Sequence, residues 1–329
     1  MPHELNPVRA IARSNIALAK YWGKADVDLN LPAVPSLSLT LDELVTETEV
    51  EFEPSLARDE LHLDGREAPD HETGRVTQLL NRVRSRAEIP YFARVRSENR
   101  FPTAAGLASS ASGFAALAAA ASRAANLELT SESMSTLARQ SSASAARSVF
   151  GGFVELDAGV PGEGGLGARQ VAAADHWDVR LVVAITATGP KSVGSTEAMT
   201  RSKRTSPFYA AWVDAAPRWF DEVKSAVARR DLERLGQAME QSTLAFHACA
   251  MTSLPSTVYW GPGTMDALNT VRSLRAAGTS VWATMDAGPH VKALCETRDS
   301  TKIRDALLGA RGVHEVIVAS PGRGVEVIG

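Results

Sequence analysis

Residues 99–113 are the segment whose residue types and spacing most clearly suit ligand binding. A turn rich in Pro, Gly and hydroxyl side chains leads there into an alanine-rich run. The start of a helix leaves about four backbone N–H groups unpaired and carries roughly half a positive charge. Small residues allow a polyphosphate to approach the main chain, and Ser109, Ser110 and Ser112 add donors. The segment predicts a phosphate cradle; an ordinary turn before a core helix is the alternative. No Gly-Lys-Ser or Gly-Lys-Thr follows, so it is not a P-loop.

Two lysines, Lys20 and Lys24, lie four residues apart beside Tyr21 and Trp22. If this segment is helical, the spacing places both ammonium groups on one face; otherwise the lysines bracket a turn at Gly23. Such a pair is often a solvated surface feature, but the neighbouring aromatic residues are more typical of a lined pocket. Both lysines are therefore candidates for binding an anion.

A third polar segment, residues 141–152, combines serines and one arginine before a pair of glycines. Ser142, Ser144 and Arg147 are candidates to converge on one anion, because a guanidinium makes a two-pronged contact with a carboxylate or a phosphate. The alternative is a Ser/Ala helix in which Arg147 pairs with a structural acid.

An acid, Asp286, stands at the end of a predicted strand and just before a Gly-Pro turn. Side chains at such loop mouths often carry catalysis, although a helix-capping role is the alternative. If Lys20 and Arg147 lie near Asp286, their charges keep it ionised and poised to take a proton.

Composition limits the classes of function. The chain has 329 residues, of which 44% are hydrophobic and 22% are charged, and its net charge is -3. These values are typical of a soluble globular protein of about two domains, and they argue against nucleic acid or an anionic membrane as a partner. Two cysteines without metal or redox spacing, no secretory signal and no apolar run of about 18 residues predict a cytoplasmic protein that does not span a membrane.

Apolar runs and helical stretches predict the elements of the fold. Predicted strands cover 45–52, 92–95, 150–156, 179–187, 279–285 and 313–319, and predicted helices cover 72–86, 108–126, 131–141, 208–229, 232–250, 262–277 and 291–294 with 301–308. Strands and helices do not alternate strictly, which indicates an α+β fold with mixed or antiparallel sheets. We expect a domain boundary within 188–206 and mobile loops at 159–167 and 189–206.

Taken together and in order, these segments resemble the diphosphomevalonate decarboxylase family of the GHMP kinase superfamily. The resemblance rests on Asn-Ile-Ala, Lys-Tyr-Trp-Gly-Lys and Pro-Ser-Leu-Ser-Leu-Thr within 15–40, on Phe-Pro-Thr-Ala-Ala-Gly-Leu-Ala-Ser-Ser-Ala at 101–111 and on Asp-Ala-Gly-Pro at 286–289. Residues 195–199 and 205–208 also look like the family's central segment. The resemblance implies a two-lobed GHMP kinase fold, with an ATP-binding domain at 1–187, a C-terminal domain at 188–329, an active-site cleft between the lobes, and a homodimer.

The implied activity is the ATP- and Mg²⁺-dependent decarboxylation of (R)-5-diphosphomevalonate to isopentenyl diphosphate in the mevalonate pathway, with release of ADP, phosphate and CO₂. In this interpretation Asp286 orients or deprotonates the substrate 3-hydroxyl, Arg147 holds the substrate carboxylate and helps to fix Asp286, and Lys20 stabilises charge. The other residues implied to bind the substrate are Tyr21, Lys24, Arg75, Ser142 and Ser144. Those implied to bind the nucleotide are Pro102, Gly106, Leu107, Ser109, Ser110, Ser112, Ser192, Ser195 and Thr196.

Four positions depart from the family pattern as the resemblance gives it. Ser141 and Ala143 replace two glycines, Ala146 replaces a cysteine, and His290 stands where Asn is usual. A replaced glycine matters if its backbone needed positive φ, which costs another residue about 1 kcal/mol or more.

Three other activities compete on the same scaffold: decarboxylation of the monophosphate, phosphorylation of mevalonate without loss of CO₂, and catalytically silent metabolite binding. The presence of Lys20, Arg147 and Asp286 favours the decarboxylase, since a silent binder is expected to lose at least one of them.

Overall fold

The computed structural model describes residues 6–101, 107, 109–189 and 192–328. The first part of the chain forms β1 (Val8–Ala19), β2 (Lys24–Asp26), β3 (Leu31–Pro32), β4 (Ser36–Glu53), β5 (Glu60–Leu63), β6 (Arg66–Glu67), α1 (Asp70–Ala87), β7 (Phe92–Asn99), α2 (Ser109–Ala124), α3 (Ser131–Arg139), α4 (Ala145–Ser148), β8 (Phe153–Leu156) and β9 (Arg169–Ala172). The second part forms β10 (Val179–Ile185), α5 (Ser195–Thr205), α6 (Tyr209–Arg229), α7 (Leu232–Met251), α8 (Pro262–Ala276), β11 (Val281–Thr284), β12 (Val291–Glu296), α9 (Ser300–Leu308), β13 (Glu315–Ala319) and β14 (Glu326–Ile328).

The long strand β4 organises the first sheet. It pairs antiparallel with β1 along most of its length, with β8 near its start and with β7 near its end. The strand order is β14-β1-β4-β7-β5-β6; outside this order β8 pairs with β4 and β9 pairs with β8, and β5 runs parallel to β7. Because β1 carries Asn15 and ends beside Lys20, this sheet positions the first lysine of the pair.

The second sheet has the strand order β11-β12-β10-β13, with antiparallel pairing throughout. Asp286 follows β11 after one residue, and Lys292 is the second residue of β12. The turn between these two strands therefore carries an acid at its start and a lysine at its end.

A buried apolar cluster joins the two sheets. Leu37, Leu39 and Leu41 of β4 pack there with Leu181 and Val183 of β10, together with apolar residues of α6 and α7. The alternate β4 positions Ser36, Ser38 and Thr40 are also fully buried, on the opposite face of the strand. Since both faces of this part of β4 are covered, its polar face lies inside the protein, where it can hold a buried charge.

Most predicted elements are found near their predicted bounds, including all of the long helices, but two expectations are wrong and one of two open alternatives is excluded. Residues 291–294 belong to β12 and not to a helix, because Val291, Ala293 and Cys295 alternate into the core as strand residues do. The segment 189–206 is not a loop throughout, since 195–205 form α5. Residues 15–19 are strand, so the helical option for the first lysine pair is excluded.

The loop at 159–167 is tied to the rest of the molecule by several hydrogen bonds. The buried guanidinium of Arg139 donates to the carbonyl oxygens of Gly164 and Leu166 at 2.6 and 2.7 Å. The mobility predicted for this loop stays a prediction, as does the domain division at 187/188; β10, which precedes that point, pairs with β12 and β13. No helix in the described part of the chain is long and apolar enough to cross a membrane.

Candidate active site

An acid between two lysines forms the centre of the site. The Lys20 ammonium, at the end of β1, donates to Asp286 Oδ1 at 2.7 Å and to the Ala17 carbonyl oxygen at 2.8 Å. The Lys292 ammonium, on β12, lies 3.2 Å from Asp286 Oδ2. Both lysine side chains are buried, whereas the Asp286 side chain is 23% exposed. The two sheets thus meet at a carboxylate that is held from both sides and remains accessible.

The charges in this centre shift the ionisation of the groups. The pKa of Asp286 lies well below its usual range: burial opposes the charge, but Lys20 and Lys292 together outweigh burial. Burial lowers the pKa of Lys20 to about 8, against the opposing effect of Asp286. At neutral pH the carboxylate is therefore ionised and Lys20 is largely protonated.

Arg147 lies near this centre but is held by other partners. Its Nη1 donates to Ser36 Oγ at 2.7 Å, and its Nε lies 3.0 Å from Ser38 Oγ and 3.3 Å from Asn15 Oδ1. Its charge acts on Lys20 and on Asp286, which places the three groups in one electrostatic environment. The described bonds to the Asp286 carboxylate come from the two lysines, while Arg147 acts on it through charge, so the expectation that Arg147 helps to fix Asp286 stays a prediction.

The first lysine pair brackets a sharp turn. Gly23 has φ of 103°, and a Cβ at this position would lie 2.0 Å from the hydroxyl oxygen of Tyr209, at the start of α6. Glycine is therefore favoured by the backbone conformation, and a larger residue would also have to displace the end of the Tyr209 side chain. The turn directs the chain from the buried Lys20 to Lys24, which is only partly buried. The sequence alternative of a bracketed turn is the correct one.

Further cations and hydroxyls lie around the Lys20–Lys24 pair. Arg75, on α1, acts on the ionisation of Lys24, and burial lowers the pKa of both groups. The Arg75 guanidinium donates to the Ser141 carbonyl oxygen at 3.4 Å, and the hydroxyls of Ser142 and Ser144 lie 3.1 Å apart. Arg75 therefore brings the lysine segment and the segment 141–152 close together in space.

Tyr21 follows Lys20 and carries a buried hydroxyl that has no hydrogen-bond partner among the described atoms. Burial raises the pKa of this phenol, and its ionisation is coupled to Arg147. An unpaired buried hydroxyl costs free energy in the protein alone, so this group is available to a ligand.

The residues near the start of α2 that are predicted to bind the nucleotide differ in how far they are buried. Ser109 and Ser110 are exposed at the first two positions of the helix. Ser112 is fully buried, and its hydroxyl lies 2.6 Å from Thr46 Oγ1 and 3.1 Å from Ser14 Oγ. Leu107 is also buried, whereas Pro102 and Gly106 lie outside the described residues.

The remaining predicted nucleotide residues lie around the start of α5. Ser195 and Thr196 are its first two residues, and Ser192 is exposed just before the helix. The role of these three residues in nucleotide binding stays a prediction.

The departures from the family pattern are accommodated by the backbone. Neither Ser141 nor Ala143 has positive φ, so the glycines that they replace are not required by conformation here. His290 is fully buried, and its Nδ1 accepts a hydrogen bond from the Thr186 backbone N–H at 3.2 Å. Burial lowers the pKa of His290 to about 3, so this residue is neutral.

Sequence reasoning missed Lys292, the two serines that hold Arg147, and His247. A signal for Lys292 was available, because it is the single charge in the apolar run Val291–Cys295. His247, on α7, is buried beside the centre, where burial and Lys20 lower its pKa to about 3. No local pattern marks His247 as a neighbour of Asp286, which is distant in sequence.

The two sheets and the junction between them, with a helix start that presents hydroxyls and an acid held by buried lysines, define a protein of the GHMP kinase superfamily. The chain belongs, more narrowly, to the diphosphomevalonate decarboxylase family. A model of the diphosphomevalonate decarboxylase-like N-terminal domain matches residues 12–166, and a model of the mevalonate 5-diphosphate decarboxylase C-terminal domain matches residues 181–319. The predicted family and the predicted fold are confirmed.

Individual relatives agree with the family models. The diphosphomevalonate decarboxylase of Homo sapiens is 35% identical over 318 residues, which cover 90% of this chain and 78% of the human protein. The crystal structure of mevalonate diphosphate decarboxylase from Staphylococcus aureus has a TM-score of 0.93 and 36% identity, with 98% of each chain covered. The structure of MDDEF in complex with MVAPP, AMPPCP and magnesium has a TM-score of 0.92 and 38% identity, again with 98% of each chain covered.

Proposed function

We propose that this protein catalyses the ATP-dependent decarboxylation of (R)-5-diphosphomevalonate to isopentenyl diphosphate, with release of ADP, phosphate and CO₂. The observation that carries the proposal is Asp286, ionised and accessible between Lys20 and Lys292, in a chain that belongs to the decarboxylase family. An ionised acceptor beside cations suits a reaction in which a hydroxyl must be aligned with a phosphoryl group and negative charge must be stabilised.

In the first step, the 3-hydroxyl oxygen attacks the γ-phosphorus of ATP, the bond from that phosphorus to ADP breaks, and the hydroxyl proton passes by way of Asp286 to solvent. Asp286 accepts a hydrogen bond from this hydroxyl and orients it. Because two lysines lower the pKa of Asp286, the carboxylate is a weak proton acceptor, and its main contribution is orientation. Lys20 places positive charge at the reacting centre and favours the transferred phosphoryl group.

In the second step, the C3–O bond breaks and phosphate departs, so that C3 becomes electron-poor. The bond between the carboxylate and C2 then breaks, CO₂ leaves, and its electron pair forms the double bond between C2 and C3. Arg147 holds the substrate carboxylate until this point, since serine hydroxyls and an amide oxygen, and no acid, make its described hydrogen bonds. The positive charge of Arg147 is thus available to pair with the substrate carboxylate.

The diphosphate of the substrate is assigned to the cations and hydroxyls beside the centre. Lys24, Arg75, Ser142 and Ser144 come together from three segments, and Tyr21 offers an unpaired hydroxyl close to Arg147. Their number favours two phosphate groups over one, because each doubly charged phosphate group is best matched by more than one donor.

The nucleotide phosphates are assigned to the start of α2. Ser109 and Ser110 are exposed where the helix leaves backbone N–H groups unpaired, which fits a polyphosphate. Ser192, Ser195 and Thr196 are proposed as further contacts. Among the described residues no three His, Cys, Asp or Glu side chains form a metal cage. Mg²⁺ is usually bound through substrate phosphates with few protein ligands, and it would neutralise charge on them.

The substrate assignment is tested by supplying ATP and Mg²⁺ with mevalonate, 5-phosphomevalonate or (R)-5-diphosphomevalonate in separate reactions and following ADP and CO₂. We expect the highest kcat/KM with the diphosphate. A preference for the monophosphate would overturn the substrate assignment, and ADP without CO₂ from any of the three would indicate a kinase.

We also propose, on the family resemblance, that the protein is a homodimer of the cytoplasm that serves isoprenoid biosynthesis. Light scattering of the purified protein tests the oligomeric state, and a mass of one chain at assay concentration would contradict it.

A further inference from the structure

Lys292 occupies a position where the fold favours an apolar side chain. On β12 it pairs with Val183 of β10 and with Thr284 of β11, in the middle strand of these three. Leu294, two residues further on the same face, packs in the apolar cluster between the sheets. The Lys292 side chain is fully buried. A buried ammonium is costly unless an anion accompanies it, and the structure places Asp286 Oδ2 3.2 Å away.

Lys20 and Lys292 constrain the Asp286 carboxylate in different ways. Rotation about the last torsion of an aspartate is broad, so one bond from Lys20 to Oδ1 leaves the plane of the carboxylate free to turn. Lys292 approaches the other oxygen from a different sheet. Two fixed points from two sheets define the orientation of the group.

We propose that Lys292 is a positioning residue of the decarboxylase site, which holds Oδ2 of Asp286 and so fixes the direction in which the carboxylate meets the 3-hydroxyl. This inference rests on the proposed function. Lys292 acts through Asp286 and does not touch the substrate, since it lies entirely inside the protein. The structure thus assigns the two lysines separate tasks: Lys20 adds charge at the reacting atoms, and Lys292 fixes geometry.

The main experiment compares Lys292→Met and Lys292→Arg with Lys302→Met, a control at a surface lysine on α9 that lies outside the site. Misplacement of a reacting group by about 1 Å can cost roughly 100-fold in rate. We expect Lys292→Met to lower kcat by about 10- to 100-fold while KM for ATP and for the diphosphate stays within about twofold. Lys292→Arg restores the charge and is expected to recover part of kcat. Wild-type kcat in Lys292→Met, or a change in KM alone, would overturn the inference.

A second measurement does not depend on activity. Urea unfolding of wild type, Lys292→Met, Asp286→Asn and the double variant forms a double-mutant cycle. We expect the double variant to be more stable than the sum of the single effects predicts, because Asp286→Asn leaves the fully buried Lys292 ammonium without its anion, and the double variant no longer contains that ammonium. Strict additivity would overturn the pairing. If Lys292→Met does not fold, Lys292→Gln takes its place in both measurements. A wild-type protein that releases neither ADP nor CO₂ would contradict the proposed function, whereas the cycle would still report on the pair.

Discussion

The Asp286 centre and the start of α2 are built by different means. The centre consists of charged side chains that two sheets, far apart in sequence, bring into contact inside the protein. The start of α2 offers exposed hydroxyls and backbone groups of one continuous segment. The first region depends on tertiary structure and charge, and the second depends on local structure. Changes in the centre should therefore affect the chemical step strongly, while changes at the helix start should affect nucleotide binding moderately.

The largest expected effect follows from Asp286→Asn. Loss of the negative charge removes the oriented acceptor for the 3-hydroxyl, and we expect kcat to fall by at least about 100-fold. Nucleotide binding should persist, because the exposed serines of α2 are unchanged. Calorimetric titration with a non-hydrolysable ATP analogue checks binding, and steady-state kinetics check kcat. Unchanged turnover would remove Asp286 from the mechanism.

The next prediction assigns different kinetic effects to the two lysines that bracket Gly23. Lys20→Met removes a charge bonded to Asp286 and is expected to lower kcat by about 10- to 100-fold. Lys24→Met removes a partly buried cation assigned to the substrate diphosphate and is expected mainly to raise the substrate KM. Comparison of both variants at saturating ATP checks this division, and equal effects on kcat would contradict it.

The pH dependence of kcat tests whether Lys20 must be charged. Burial favours the neutral amine and lowers the pKa of Lys20 to about 8, so the charged form prevails below that value and is lost as the pH rises through it. The other charged groups that face it are Asp286, Lys292 and Arg147, and His247 is neutral. We expect kcat to decline above about pH 8, and Lys20→Arg to move this decline to higher pH. A flat profile from pH 7 to 10, as measured in overlapping buffers, would contradict a required charge on Lys20.

The smallest effects distinguish two serines of one helix. Ser110→Ala removes an exposed donor and is expected to raise KM for ATP by roughly 2- to 10-fold without affecting stability. Ser112→Ala breaks the buried chain from Ser14 to Thr46 and is expected to lower the free energy of unfolding by about 1 kcal/mol with little change in KM. The reverse pattern would show that the two hydroxyls are wrongly assigned.

The sequence predicted what local patterns determine. The long helices, the hydroxyl-rich start of α2 and the polar segments around Lys20, Arg147 and Asp286 were all found from residue types and spacing. Ser112 could not be separated from Ser109 and Ser110, because the difference between them is the direction in which the helix turns each hydroxyl.

The misreading at 291–294 shows what tertiary structure adds. A short apolar run with one lysine fits a helix or a strand, and the length of the run did not decide between them. The antiparallel pairing of β12 with β10 and β11 makes it the middle strand and directs Lys292 inward. The most buried charge of the site was therefore missed through a local error about one strand.

The most direct test of the central claim is the stoichiometry of products in a single turnover with ATP, Mg²⁺ and (R)-5-diphosphomevalonate. We expect equal amounts of ADP and CO₂ from the wild-type protein, and a parallel loss of both in Asp286→Asn, because phosphorylation precedes loss of the carboxylate. CO₂ released without ADP, or ADP that accumulates without CO₂, would contradict a coupled decarboxylase built around Asp286.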